Sequence, residues 1–322
     1  MFAFRPRPQR HGALEYRSSM RTFARQSRWL APILALCGCA ALSQPNQPEP
    51  KRPRITGFAH VAVYVTDLSK AQHFYGDILG YEKISPTLYR VNTTQSIELE
   101  QSSKDTDDRI AHIAFLTDSA DGMLAYLRAK GIKVPDKAND GRNGARWFAL
   151  TDPAGQAIEF LQEKPQPAPK TAKPPASKQI IHVGFIVRDR AAEEHFYQDI
   201  LGFRLYWHGG MEPNRTDWVA LQVPDGTVWI EEMRADEHPS KQDLGVLNHF
   251  SLGVEKMTTV IPNLKEHGWV PVGDDGTAPE IGKDGKWQFD IFDPDLTRVE
   301  YMEFRPTQKP CCSDFTGPHP HD

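Results

Sequence analysis

Two histidines each head an apolar alternating run: His60 in HVAVYVTD and His182 in HVGFIVRD. Side chains of a strand alternate between its two faces, so parity tells which residues share a side. By that rule His60 lies with Ala62 and Tyr64, and Val61, Val63 and Val65 take the opposite face. The same reading sets Glu98 beside Ser96, His112 beside Ala114, and Glu159 beside Ala157. In the second run His182 lies with Gly184, Glu231 with Trp229, His249 with Ser251 and Gly253, and Glu300 with Arg298 and Met302. Large apolar residues on one face, and mostly small ones beside a His or Glu on the other, describe a sheet curled around a hollow.

Two imidazoles and two carboxylates converging in one hollow are costly unless something compensates them, because a buried carboxylate without a partner is strongly disfavoured. A divalent cation compensates both. A set of two His and two Glu suits zinc, nickel, manganese or iron(II), and leaves positions open for water or substrate.

The elements that must hold these residues occur twice. HVAVYVTDLSKAQHFYGDILGYE from His60 matches HVGFIVRDRAAEEHFYQDILGFR from His182. AHIAFLTD around His112 answers NHFSLGVE around His249, and TDPAGQAIEFLQ around Glu159 answers FDPDLTRVEYME around Glu300. Duplication is the simplest cause. Each half reads as strand, helix and several strands, twice over, which is an α+β class. Leu68, Ala71, Phe74, Tyr75 and Ile78 fall at helical spacing, Asp67 is the expected N-cap, and Gly80 ends the helix. Met123, Tyr126 and Leu127 before Gly131 repeat that logic. Between the halves, EKPQPAPKTAKPPASK favours an extended spacer, so the halves need not form one body.

His60, Glu98 in SIELEQ, His112 in AHIAFLTD and Glu159 in DPAGQAIEF resemble the metal ligands of the vicinal oxygen chelate (VOC) superfamily. Glyoxalase I, bleomycin-resistance proteins, epimerases and type I extradiol dioxygenases belong to it. The resemblance covers residues 55–162 and 180–305 and implies tandem βαβββ modules, two glyoxalase-like open eight-stranded barrels with one metal each. Carried into the second domain, the ligands are His182, Glu231, His249 and Glu300; Glu232 adjoins Glu231, and a one-residue slip would exchange them. A glyoxalase-like lyase or isomerase would move a proton with a Glu ligand, Glu159 or Glu98 in the first domain and Glu300 or Glu231 in the second. A catechol-cleaving extradiol dioxygenase is the alternative. That family places a tyrosine where this chain has Phe292, and a histidine several residues earlier, where none lies between Glu280 and Glu300. A third reading is a protein that binds a small molecule or metal without catalysis. Substrates implied are small oxygen-chelating molecules, and a homodimer is an assembly open to the family.

Around these domains the chain reads as address and tether. Arg21, Arg25 and Arg28 precede the apolar WLAPILALCG, the length of a signal-peptide core and too short to span a bilayer. Met20 is a candidate start. LCGC at residues 36–39 resembles a bacterial lipobox, which implies cleavage of residues 1–39, acylation of Cys39 and a membrane-anchored lipoprotein outside the cytoplasm. Residues 40–54 are a Pro-rich tether, 163–179 the Pro/Lys-rich linker and 306–322 a flexible tail. With 25% charged residues and a formal net charge of -4, nothing in the chain marks a nucleic-acid partner. No cysteine falls between residues 40 and 310, so no disulfide framework supports the domains.

Several other groups invite weaker readings. Trp207, Trp218, Trp229 and Trp287 could line an aromatic pocket, Trp229 above all because it shares the Glu231 face. His73 and His195 head HFY inside helices and read as surface residues. Tyr206 and His208 precede GGM, a turn that reads as a loop or as a lid. Cys311, Cys312 and two histidines in PCCSDFTGPHPHD suggest either a metal site or a reactive thiol pair.

Overall fold

The structure, a computed structural model, describes residues 49–102, 109–234, 240–271 and 278–321. The leader, most of the tether and Cys39 lie outside the described residues.

The first half contains β1 (Ile55–Val65), α1 (Leu68–Gln72), β2 (Glu82–Ser85), β3 (Leu88–Arg90), β4 (Ser96–Gln101), β5 (Ile110–Thr117), α2 (Ala120–Ala129), β6 (Asn139–Asp140), β7 (Arg146–Thr151) and β8 (Ala157–Gln162). These strands form one eight-stranded sheet in the order β2-β3-β4-β1-β5-β8-β7-β6. β1 runs parallel to β4 and antiparallel to β5, and β5 runs parallel to β8, so two βαβββ units meet along β1 and β5. The second half repeats the plan with β9 (Ile180–Ile186), α3 (Arg190–Glu194), β10 (Arg204–Gly209), β11 (Trp218–Gln222), β12 (Trp229–Met233), α4 (Lys241–Leu247), β13 (His249–Val254), α5 (Val260–Glu266), β14 (Glu280–Ile281), β15 (Trp287–Phe292) and β16 (Arg298–Glu303). The α+β class and the tandem βαβββ plan are therefore those expected from the repeat. α4 is an element the repeat does not announce; Ser240 and Asp243 close a capping box at its start.

Asp67 caps α1 as its position suggests, accepting from the Ser69 and Lys70 amides, and Gly80 takes a φ of 77° where an L side chain would be strained. The helix does not stay regular. From His73 to Ile78 it widens to a π turn, and the Leu79 amide donates to the Phe74 carbonyl, five residues back. His195–Ile200 does the same after α3.

The two halves form one compact unit from Pro48 to Asp322, contrary to the separable bodies that the linker allows. The reason lies in the phrases the halves share. The tyrosine of each HFY reaches the aspartate of the other half's DP turn: Tyr75 donates to Asp293 and Tyr197 to Asp152, both at 2.9 Å. Phe115 packs edge-on against Phe203 at 5.5 Å, and Tyr75 stacks on Phe250 at 6.5 Å. Buried rings contribute roughly 1.5–3 kcal/mol each, so these few suffice to hold the halves. The linker is laid along them, with Tyr81 donating to the Ser177 carbonyl and Asn263 to that of Pro174.

One part of this interface breaks the symmetry. Glu193 and Glu232, both fully buried, approach Asp152 from the other half. The repeat aligns them with Ala71 and Leu99, which are apolar and buried. Burial first, then neighbouring acids, raises the Glu193 carboxyl, and burial raises Asp152. Burial, followed by Glu194, pushes Glu232 up from 4.5 to about 8. Such a group holds its proton more firmly folded than unfolded, so the unfolded chain binds fewer protons between those values and stability falls as pH rises through them. Below pH 6.5 the buried histidines, held below their ordinary value, oppose this slope; from pH 6.5 to 8 the apo-protein should lose a few degrees of melting temperature per pH unit, at about 1.4 kcal/mol per unit for one such carboxyl where its slope is steepest. Glu232→Gln should flatten that slope in melting curves followed by circular dichroism; an unchanged slope would mean that Glu232 does not carry it.

Candidate metal centres

Register brings the predicted residues together. In the first half, Ala62 pairs with Glu98 on β4 and with His112 on β5, while Ala114 pairs with Glu159 on β8. In the second, Gly184 pairs with Glu231 on β12 and with His249 on β13, and Ser251 with Glu300 on β16. Glu232 sits on the opposite face, fully buried, with Arg190 Nε 3.7 Å from its carboxylate. The slip between the two glutamates is thus settled geometrically in favour of Glu231 facing the hollow.

Among the described residues, the donor atoms of His60, His112 and Glu159 lie within 4.8 Å of one another, as do those of His182, His249 and Glu300. The Nε2 atoms of His60 and His112 are 2.8 Å apart, and those of His182 and His249 are 2.9 Å apart. Two nitrogens at right angles on one ion, at about 2.0–2.1 Å each, would be separated by roughly this much. Glu98 and Glu231 stand at the edge of each set. Glu98 Oε2 is 3.6 Å from His60 and 3.9 Å from His112; Glu231 Oε2 is 3.8 Å from His182 and 3.4 Å from His249.

The protonation states suit a cation. Burial, with His112 second, holds the His60 imidazole down to about 3, and burial holds His182 and His249 well below 6.5, so all three are neutral and carry a lone pair at pH 7. His249 Nδ1 lies 3.3 Å from the Leu247 carbonyl, and donation there leaves Nε2 as the free acceptor. At the first centre Glu100, which shares the Glu98 face, approaches His112 Nδ1 at 3.8 Å and can orient that ring. The carboxyls are pushed the other way. Burial, then Glu98, lifts Glu159 to about 7, and burial raises Glu300 well above 4.5. Glu300 Oε2 is buried without a hydrogen bond. Unshared acceptors crowded in this way fit a divalent ion.

The centres differ in depth. His60 and Glu159 remain 13% and 16% exposed, whereas His182 and Glu300 are 1% and 4% exposed. A glycine accounts for part of this. A Cβ on Gly184 would lie 2.5 Å from His249 Nδ1, so the ring occupies the space a side chain would need; the first half has Ala62 at that position. Gly184→Ala should therefore displace His249 and empty the second centre while the first keeps its metal, an outcome that metal content per chain reads directly.

A cavity of about 420 Å³ opens over the second centre, with Glu231, Glu300, Arg298 and Met302 on one side. Trp207, Trp218 and Trp229 line it, as an aromatic pocket requires, but Trp287 packs against the core instead. Tyr206 and His208 lie on β10, and the turn after them brings Met211 to the cavity. His73 and His195 are exposed and bond to Asp77 and Asp199 one turn on.

The tail expected to be flexible is docked. Trp207 donates to the Cys311 carbonyl, the Thr316 amide to the Tyr206 carbonyl, and Tyr206 meets His319 at 2.5 Å. Cys311 and Cys312 are joined in a disulfide, which leaves no thiolate for a metal. Sequence reasoning also missed Lys286, fully buried 4.5 Å over the Trp229 ring. The alternation in WQFDIF starts one residue after it, so parity carries no signal for it.

A model of the glyoxalase/bleomycin resistance protein/dioxygenase superfamily matches residues 57–160, and another model of that superfamily matches residues 181–289. The chain is 26% identical over 122 residues to the uncharacterized protein YaeR of Escherichia coli (strain K12), a match that spans 32% of this chain and 94% of YaeR. YwkD of Bacillus subtilis (strain 168), also uncharacterized, matches over the same shares at 26%. Among solved structures, a variant of homoprotocatechuate 2,3-dioxygenase from B. fuscum superposes with a TM-score of 0.60 at 19% identity, covering 84% of this chain and 76% of that one. The Mn(II)-bound glyoxalase from Novosphingobium aromaticivorans gives 0.59 at 20%, covering 78% and 83%. At such identities the structural likeness shows the fold. The two sequence models, which together match more than half of the chain, place it in the glyoxalase/bleomycin resistance protein/dioxygenase superfamily, with two of its domains in tandem.

Proposed function

We propose that the protein is an exported, divalent-metal-dependent lyase or isomerase of glyoxalase type, anchored through Cys39 and acting on a small substrate that presents two adjacent oxygens. The observation that carries this reading is the second centre, where the donor atoms of His182, His249 and Glu300 converge and two carboxylates, Glu300 and Glu231, line a cavity. The same ligand types at His60, Glu98, His112 and Glu159 make the first centre a second candidate.

Zinc, nickel, manganese or iron(II) bound there supplies a Lewis acid for the substrate oxygens. The chain's own groups do the rest. His182, His249 and Glu300 hold fixed positions on paired strands. Glu231, more open than Glu300, takes a proton from the carbon beside the carbonyl at its Oε2 and returns it one carbon over. Trp207, Trp218 and Trp229 line the cavity beside it, and the 15% exposure of Glu231 lets its proton exchange with solvent. Incubating the metal-loaded protein with a 2-oxo compound bearing an adjacent C–H in deuterium oxide tests this. Deuterium should enter that position without oxygen uptake; no exchange with any of the four metals would overturn it.

A second reading, ring cleavage of a catechol, draws support from the tightest donor set, two His and one carboxylate, beneath an aromatic wall. Oxygen consumption with catechol and iron(II) would establish it in place of the first. Ligand binding without either turnover would leave a binding protein.

A further inference from the structure

We propose that Phe315, delivered by the C-terminal segment, is a specificity-determining wall of the second centre that selects chelating ligands with a flat, unsaturated body. The proposal rests on the reading of that centre as one that holds a metal and a chelating ligand.

A continuous file of rings runs outward from the centre. The His182 ring lies 4.8 Å from Trp229, Trp229 lies 5.1 Å from Tyr206, and Tyr206 lies 4.7 Å from Phe315. Phe315 itself lines the cavity. Glu300, Glu231 and the Trp229, Tyr206 and Phe315 rings line the same cavity, so the body of a ligand chelated there would lie along those three rings; beyond Phe315 the His319 ring follows at 4.9 Å.

The ring is placed there by several independent contacts. The Cys311 amide donates to the Lys283 carbonyl at 2.7 Å, and Trp207 Nε1 donates to the Cys311 carbonyl at 3.2 Å. Ser313 bonds both the amide and the carbonyl of His208, and Gln222 holds the Pro318 carbonyl. The Cys311–Cys312 disulfide and the left-handed Cys312, at a φ of 75°, turn the chain back onto β10. Lys286 then joins the rings from behind, its Nζ 4.5 Å from Trp229, 5.3 Å from Tyr206 and 5.2 Å from Phe315. A buried ammonium shared by three ring faces aligns them as no apolar residue would.

In the first half the corresponding segment brings no ring to the centre. The segment that follows β8 is the Pro/Lys-rich linker, which holds no aromatic residue and passes instead to the β3–β4 turn, where the Gln166 amide meets the Thr93 carbonyl at 2.6 Å. The duplicated domains thus diverge in the piece of chain that lies outside the duplication, and only the second gains a ring from it.

The test uses the full metal-loaded chain in a His60→Ala background, so that only the second centre reports. Two probes are titrated: 4-nitrocatechol, which has a flat ring, and oxalate, which chelates but has no body. Phe315→Ala should weaken 4-nitrocatechol about 10-fold, the loss of one aromatic contact, and leave oxalate within about 2-fold. Phe315→Tyr, which keeps the ring, should restore the parent's ratio. Metal content and melting temperature equal to the parent's establish that the variants are folded and loaded. A ratio of the two affinities unchanged in Phe315→Ala would overturn the wall while leaving the centre standing. Failure of the parent to take up metal, or to bind either probe, would overturn the centre and the wall with it.

Discussion

Metal content should fall from two equivalents per chain to one when His182 is replaced by alanine, and again to one when His60 is replaced instead, with the double variant holding none. The argument is geometric. Each histidine supplies the Nε2 that lies closest to its partner imidazole, at 2.8 Å in the first centre and 2.9 Å in the second. Removing either leaves one imidazole and two carboxylates. Loss of an outer partner alone weakens a metal 10- to 100-fold, so loss of a direct ligand should exceed about 100-fold. The effect should be steeper at the second centre, where Glu300 Oε2 is 3.2 Å from His182 and has no hydrogen bond to fall back on. Burial predicts a further difference. A chelator should empty the first centre sooner, because His60 and Glu159 reach solvent and His182 and Glu300 barely do. Elemental analysis of the purified protein and of each variant, before and after a timed chelator step, checks both statements. Two equivalents in the wild type that neither variant reduces would place the ions elsewhere.

The residues of both centres were legible in the sequence because a strand has a period of two, and parity survives without knowledge of the neighbouring strands. His60 with Ala62, and His182 with Gly184, are assignments of that kind. What parity leaves open is register between strands. Glu231 and Glu232 could not be told apart until Trp229 was found opposite His182, which turns Glu231 to the hollow and Glu232 into the core. The linker misled for a related reason: its composition states how far it can reach, whereas Tyr75 with Asp293 and Tyr197 with Asp152 decide how far it does. Phe315 and Lys286 were invisible because their roles depend on contacts between parts of the chain distant in sequence, such as Lys286 over the Trp229 ring. The depth of His249 was hidden in an absence, the missing side chain at Gly184.

In a His60→Ala background, where only the second centre reports, Glu231→Gln should lower kcat by about 10²- to 10⁴-fold while that centre keeps its metal, whereas Glu300→Gln should lose the metal and with it all turnover there. The two carboxylates differ in what surrounds them. Glu300 is almost fully buried, and its Oε2 approaches His182 more closely than Glu231 does, at 3.2 Å against 3.8 Å. It is also flanked by Arg298 on the same face of β16, a cation that opposes the rise burial imposes on its carboxyl. That is the setting of a ligand. Glu231 reaches the cavity from the facing strand, with a side chain still 15% exposed, and lies 3.4 Å from His249. From there it can touch both the ion and a carbon of the ligand, as a proton carrier must. Glutamine keeps the shape and an oxygen but cannot take up the proton. The variant should therefore bind a chelating probe as the wild type does, with KM little changed, and lose deuterium exchange in step with kcat. Exchange retained in Glu231→Gln would move the proton transfer to another group. Loss of metal there would make Glu231 a fourth ligand in function as well as in position.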